Sequence, residues 1–218
     1  MTGKRPPKLV IFDCDGVLVD SEKSTISCLK DNLSRHGLEL SYQGTLALLS
    51  AGTFARAGEK AWEMGANLPD NWLESIYEEL YLRLDKEVRL IPSIEHVLDV
   101  LDSAGIPYAV GSNGRVMKME IMLRRVGLWP RLKRHLYSAQ DLRFPKPAPD
   151  VYLKAASDFD LSPLECAVIE DSAMGARAAT AAGIPCFGYV ANTDPEKLAP
   201  FTKVNFSDMR DLPALLGL

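Results

Sequence analysis

Apolar and polar positions along this chain fall into two textures. The first is an unbroken apolar run that stops at charge: Leu9-Val10-Ile11-Phe12 leads into Asp13-Cys14-Asp15-Gly16. A run without alternation predicts a strand buried on both faces. From Asp20 to about Glu87 the period is helical, and no segment reads convincingly as a strand. Ile26, Leu29, Lys30 and Leu33 share one helical face ahead of a stop at Gly37, while Trp72, Ile76, Leu80 and Leu84 form an i, i+4 stripe. From Leu90 onward strand and helix patterns alternate. Ser93 stands at the N-cap position of a helix carrying Ile94, Val97, Leu98 and Leu101, with Gly105 beyond its end. Pro107 to Gly111 reads as a strand, and Met119, Met122, Leu123 and Val126 as a helix closed by Gly127. His135 to Ser138 reads as a strand, Val151 to Ala156 as a helix and Cys166 to Ile169 as a second buried strand. Ser172 caps an Ala-rich helix running to Ala182 and ending at Gly183, after which Ile184 to Gly188 is a further strand.

Strands alternating with helices imply parallel pairing through right-handed crossovers. The first strand is separated from the others by the all-helical stretch. The economical reading is an α/β core, residues 1–18 and 88–218, with a helical module of residues 19–87 inserted after its first strand. The chain would cross between them near residues 17–20 and 87–92. There are no repeats and no low-complexity tracts.

Composition narrows the function classes. With 218 residues, of which 47% are hydrophobic and 25% charged, the chain can bury a substantial core. Its net charge of -4 gives no electrostatic reason to expect nucleic acid or an anionic membrane as partner. No apolar run approaches the roughly 20 residues that span a bilayer. Met1 to Pro7 is basic, but the apolar run after it is too short for a signal peptide, so a cytoplasmic protein is expected. Cys14, Cys28, Cys166 and Cys186 are scattered without a C-x-x-C pair, and His36, His96 and His135 lack metal-ligand spacing. Trp62, Trp72 and Trp129 are expected to pack in cores, and Cys14 to be a buried filler.

The chemistry concentrates at the predicted strand ends. Asp13 and Asp15, two residues apart, can address one site beyond the first strand, at the sheet edge where open α/β folds bind ligands. Carboxylates placed together repel unless a cation or a shared proton intervenes. Ser112-Asn113-Gly114 follows the second strand and offers a hydroxyl, an amide and backbone N–H groups to phosphate oxygens. Lys146 is presented between Pro145 and Pro147, just before a helix. Glu170-Asp171 follows the strand at Cys166, and N-capping accounts for only one of the two acids. Oxygen-only ligation by a few carboxylates suits a hard cation, and magnesium above all.

These four clusters, in this order and spacing, resemble the four motifs of the haloacid dehalogenase superfamily. The position of the helical module resembles its C1-capped members, the β-phosphoglucomutase-like and phosphoglycolate-phosphatase-like enzymes. The resemblance implies a Rossmann-like parallel sheet with the first strand central and a small all-helical cap. It further implies Asp13 as a nucleophile that becomes a phosphoaspartate, and Asp15 as general acid and then base. Ser112, Asn113 and Lys146 would hold phosphoryl oxygens. Asp171 would hold Mg2+ with the Asp13 carboxylate and the Asp15 backbone carbonyl, Glu170 being an outer partner. The implied activity is a magnesium-dependent phosphatase acting on a small phosphorylated metabolite of the sugar or sugar-acid phosphate class, as a monomer or small homo-oligomer. Asp15 argues against dehalogenation, because dehalogenases of this superfamily lack the second aspartate. The mutase alternative is disfavoured, because Thr25 stands where mutases of this kind carry a cap histidine. Ala51-Gly52-Thr53-Phe54-Ala55-Arg56 also lacks their cap lysine and displaces their arginine. A catalytically silent binding protein is the remaining alternative. In the resemblance the cap closes over the phosphate, and Lys23, Arg56 and Lys60 are candidates to face an anionic substrate there.

Overall fold

A computed structural model describes residues 5–49 and 53–218. The first four residues of the basic N-terminus, and Ala51-Gly52 of the element compared with mutases, lie outside the described residues. In chain order, β1 (Leu9–Phe12) and β2 (Val19–Asp20) precede four helices, α1 (Glu22–Arg35), α2 (Tyr42–Leu49), α3 (Phe54–Glu63) and α4 (Trp72–Glu87). β3 (Arg89–Leu90), α5 (Ile94–Ser103), β4 (Tyr108–Ser112), α6 (Val116–Arg125), α7 (Trp129–Leu132) and β5 (Leu136–Ser138) follow. The chain ends with α8 (Asp150–Asp158), β6 (Cys166–Glu170), α9 (Ala173–Ala181), β7 (Cys186–Tyr189), α10 (Pro195–Leu198), β8 (Val204–Phe206) and α11 (Leu212–Leu216). It divides into two compact units: Ser21–Val88, and the segment ending at Asp20 together with Arg89–Leu218.

The larger unit is α/β. Six strands form a Rossmann-like parallel sheet in the order β5-β4-β1-β6-β7-β8. All four residues of β1 are fully buried, as an apolar run without alternation requires. β1 is central: Phe12 lies opposite Val110 on β4 and opposite Ile169 on β6. The chain runs from β1 to β4 and β5 on one side and then crosses to β6, β7 and β8 on the other, so the C-terminal end of β1 is the switch point at which such sheets open a crevice. Leu9, Ile11 and Val168 pack beneath Val151, Tyr152, Ala155, Ala176 and Ala179 of α8 and α9, where small alanines let the helices lie close to the sheet. β2 and β3 pair antiparallel where the chain leaves and re-enters this unit.

The smaller unit is all-helical among its described residues. α1 and α4 pack through Ile26, Leu29, Leu33, Ile76, Leu80 and Leu84, all buried. Buried Asn32 joins them in two directions: its Oδ1 accepts from Trp72 Nε1 at 2.7 Å and its Nδ2 donates to Glu79 at 2.9 Å. α3 turns Phe54, Ala57, Gly58 and Ala61 inward. A Cβ on Gly58 would stand 2.5 Å from the Trp72 ring, so glycine makes the room that this indole fills.

Three local expectations change. Trp62, expected in a core, is 68% exposed, because Phe54, Ala57, Gly58 and Ala61 take the inward face of α3. Ser93 precedes α5 as expected, but with φ of 66° its hydroxyl caps nothing. The strand read from Ile184 begins at Cys186, and β8 carries no sequence signal because it is three residues long with a polar residue at its centre. All four cysteines are free and buried. No described helix is long and apolar enough to cross a membrane.

Candidate active site

β1 ends at Phe12, so Asp13 and Asp15 stand in the turn beyond it rather than on the strand itself. The Asp13 N–H still donates to Ile169 O at 2.9 Å, which carries the sheet's register one residue further. The turn then tightens: Leu18 and Val19 donate to Cys14 O, and Gly16 N–H donates to Val19 O at 2.8 Å. Gly16 adopts φ of 80°, and a Cβ there would lie 1.8 Å from Asp171 Oδ2. Both facts require glycine: its conformation is left-handed, and a carboxylate from the end of β6 occupies the space of a side chain.

Asp13, Glu170 and Asp171 meet, each offering a carboxylate oxygen within 4.8 Å of the others. Lys146 Nζ bridges two of them, at 2.6 Å from Asp13 Oδ1 and 2.7 Å from Glu170 Oε1. The ammonium is thus the counter-charge of these two buried carboxylates. Tyr152 OH also donates to Glu170 Oε1, at 2.7 Å. Glu170 Oε2 accepts from the Asp171 and Ser172 N–H groups and from Ser172 Oγ. With five donors on a group of about four acceptor sites, Glu170 has no lone pair left for direct ligation. It holds Lys146 against Asp13. Gly175, in the first turn of α9, permits this: a Cβ there would lie 1.6 Å from Glu170 Oε1.

Ser112 is buried at the end of β4, and its Oγ accepts from Gly114 N–H at 2.9 Å. The Asn113 side chain meets the lysine loop. Its Oδ1 accepts from Lys146 N–H at 2.9 Å, latching the lysine loop to the end of β4. Asp15 does not join the carboxylate cluster. Its Oδ1 accepts from Lys118 Nζ at 2.7 Å. Sequence reading missed Lys118, yet a signal existed: it is a cation in the first turn of α6, against the helix dipole. The sequence pattern marks Tyr152 only as part of a helix.

The charges explain what the cluster can do. Burial pushes the Asp13 carboxyl up to about 7, against the lowering pull of Lys146, and neighbouring Glu170 and Asp15 add to the rise. Burial and the same neighbours push Asp171 well above the usual carboxylate range. Glu170 goes the other way: despite burial, Lys146, Tyr152 and the Ser172 N–H hold it low. Fully ionised, the four carboxylates would stand against two ammonium groups, Lys146 and Lys118. The excess equals the charge of one divalent cation, and Asp13 and Asp171 are the groups with oxygens free to hold it. Burial also pushes the Cys14 thiol far up, so it is an inert filler beside the two acids.

A family model for haloacid dehalogenase-like hydrolases matches residues 7–183, a span that contains every residue of this site. The chain belongs to that family. It is therefore a hydrolase, and named relatives of similar length are phosphatases. It is 30% identical to a fructose-1-phosphate phosphatase of Escherichia coli over 80% of this chain and 92% of that one. It is 27% identical to the 6-phosphogluconate phosphatase of Escherichia coli over 94% of this chain and 93% of that one. Among solved structures, a HAD family hydrolase from Deinococcus radiodurans superposes with a TM-score of 0.83 at 27% identity. That match covers 98% of this chain and 96% of the other, which carries bound phosphate and sodium.

Replacing Lys146 tests the cluster's balance. Lys146→Met leaves Asp13 and Glu170 buried without their shared counter-charge, and a loss of about 3 kcal/mol in the urea unfolding free energy is expected.

Proposed function

We propose that this hydrolase is a magnesium-dependent phosphatase that removes phosphate from a small sugar or sugar-acid phosphate through a phosphoaspartate at Asp13. The observation that carries the reading is the pair Asp13 and Asp15 in one turn, with Asp13 against Lys146 and Asp171. This arrangement supports one carboxylate as nucleophile and a second as proton carrier. The names of the two Escherichia coli relatives and the phosphate held by the Deinococcus radiodurans protein support the substrate class.

Asp13 and Asp171 would hold the cation, and Gly16 leaves the space that brings Asp171 to the turn. Bound there, magnesium supplies positive charge that lets a phosphate dianion approach an acidic site. An Asp13 oxygen attacks phosphorus, the phosphorus–ester oxygen bond breaks, and Asp15 gives that oxygen its proton, releasing an alcohol. Water then attacks the phosphoaspartate, Asp15 takes the proton back, and inorganic phosphate leaves with Asp13 restored. Lys146, Ser112 and the backbone N–H groups after β4 would hold the phosphoryl oxygens.

The mutase alternative finds no support at Thr25, whose hydroxyl donates back to Ser21 O at 2.8 Å within α1. A panel of sugar phosphates, sugar-acid phosphates and p-nitrophenyl phosphate, assayed for phosphate release with and without Mg2+, tests the reading. Release from members of the panel is expected. Absence of release from all of them, or conversion of β-glucose 1-phosphate to glucose 6-phosphate without release, overturns it.

A further inference from the structure

Lys118 lies outside the four sequence clusters, yet its ammonium binds Asp15, at 2.7 Å, with only 18% of its side chain exposed. Its position runs against local preference. It sits in the first turn of α6, where the helix dipole disfavours a cation and where no acidic residue of the same turn offsets it. The contact spans 103 residues of sequence, so it is the fold that forms this pair. Gly114 marks where the partners meet. A Cβ there would lie 3.3 Å from Ser112 Oγ, 3.5 Å from Lys118 Cδ and 3.8 Å from Asp15 Oδ2. The pair therefore stands over the Ser112–Gly114 turn, beside the expected phosphoryl position.

We propose that Lys118 is the positioning residue for Asp15, holding its carboxyl group beside the reacting phosphoryl group so that it can give and take the proton. The inference rests on the phosphatase reading above. Lys118 touches neither Asp13 nor the Asp13–Glu170–Asp171 cluster through any hydrogen bond described, so it acts through Asp15. Burial and the neighbouring Asp15 have opposite effects on the ammonium, and the carboxylate prevails: Lys118 is held protonated.

Leaving-group chemistry separates positioning from general structural support. Nitrophenolate departs without a proton, whereas an alkoxide does not. With p-nitrophenyl phosphate, Lys118→Met should release close to one nitrophenolate per enzyme in a burst, because the first displacement survives. Steady turnover then falls by about 100-fold, because Asp15 no longer draws a proton from water. With the sugar phosphate that the wild-type enzyme hydrolyses best, no burst is expected, turnover falls by about 100-fold, and KM changes by less than about threefold. Lys118→Arg should restore most of the loss. In an Asp15→Asn background, Lys118→Met should cost nothing more, since the two residues act as one unit.

Turnover of K118M within threefold of wild type overturns the inference. So does an equal loss on both substrates without a burst, or an additive loss in the Asp15→Asn background. If K118M does not fold by circular dichroism, K118Q is judged by the same outcomes. A wild-type enzyme inactive on every phosphate ester fails the phosphatase reading itself and takes this inference with it, a result distinct from active wild type with an unaffected variant.

Discussion

Asp13→Asn is expected to lower phosphate release by about 10⁴-fold or more, because the amide keeps the shape of the nucleophile and removes its charge. The loss should not come from unfolding. Asp13 is buried among Glu170, Asp171 and Asp15, and its carboxyl, pushed up to about 7, shows that the folded chain resists a charge there. An asparagine oxygen still accepts from Lys146, while one repelling charge is gone. The thermal midpoint of the metal-free variant is therefore expected to equal or exceed that of the wild type, the stability–activity trade common at catalytic sites. A thermal melt beside the activity assay decides the matter. Substantial turnover, or a collapse of the midpoint, contradicts the role assigned to Asp13.

Removing the cation should be nearly as severe, and its signature should extend to stability. With excess EDTA, phosphate release is expected to fall to background and to return when Mg2+ is added back in excess. Folding of the metal-free chain should depend on pH in a direction opposite to that of an ordinary carboxylate. Burial pushes Asp13 in the folded chain up to about 7, from an ordinary carboxylate value of about 4, and displaces Asp171 the same way. Between these values the folded chain binds more protons than the unfolded one, so stability falls as pH rises from about 4 to about 7. With the cation bound, both carboxylates are held ionised and the trend should flatten. The apparent affinity for Mg2+ should weaken below about pH 7, by up to about tenfold per pH unit for each proton displaced. Thermal melts from pH 5 to 8, with EDTA and with Mg2+, measure both effects. A midpoint indifferent to Mg2+ at pH 8, or full turnover in EDTA, contradicts the cation site.

The buried strands were legible because burial on both faces writes an unbroken apolar run, as in Leu9–Phe12 and Cys166–Ile169. α1 and α4 were legible because Ile26, Leu29 and Leu33, and Trp72, Ile76, Leu80 and Leu84, repeat at the helical period on buried faces. The ends of β1, β4 and β6 were legible as polar residues interrupting those runs, and in the folded chain β1 lies between the other two. β8 was not legible, being too short for any period to register. The exposure of Trp62 was not legible either, because which face of α3 turns inward depends on where Trp72 and Gly58 meet.

Local sequence alone determined the two textures, the parallel α/β core, and the residues that could carry phosphoryl chemistry: Asp13, Asp15, Ser112, Lys146, Glu170 and Asp171. Their type and their position at strand ends follow from neighbours within a few residues. Only the tertiary structure decided which charges pair. Lys146 spans 133 residues to reach Asp13, and Lys118 spans 103 to reach Asp15. It also divided the two acids after β6, closing Glu170 into a shell of donors and leaving Asp171 against Gly16. The reason is physical. Strand and helix patterns record burial, which each residue expresses by its own polarity, whereas an ion pair depends on the approach of two atoms that the chain brings together only through its fold.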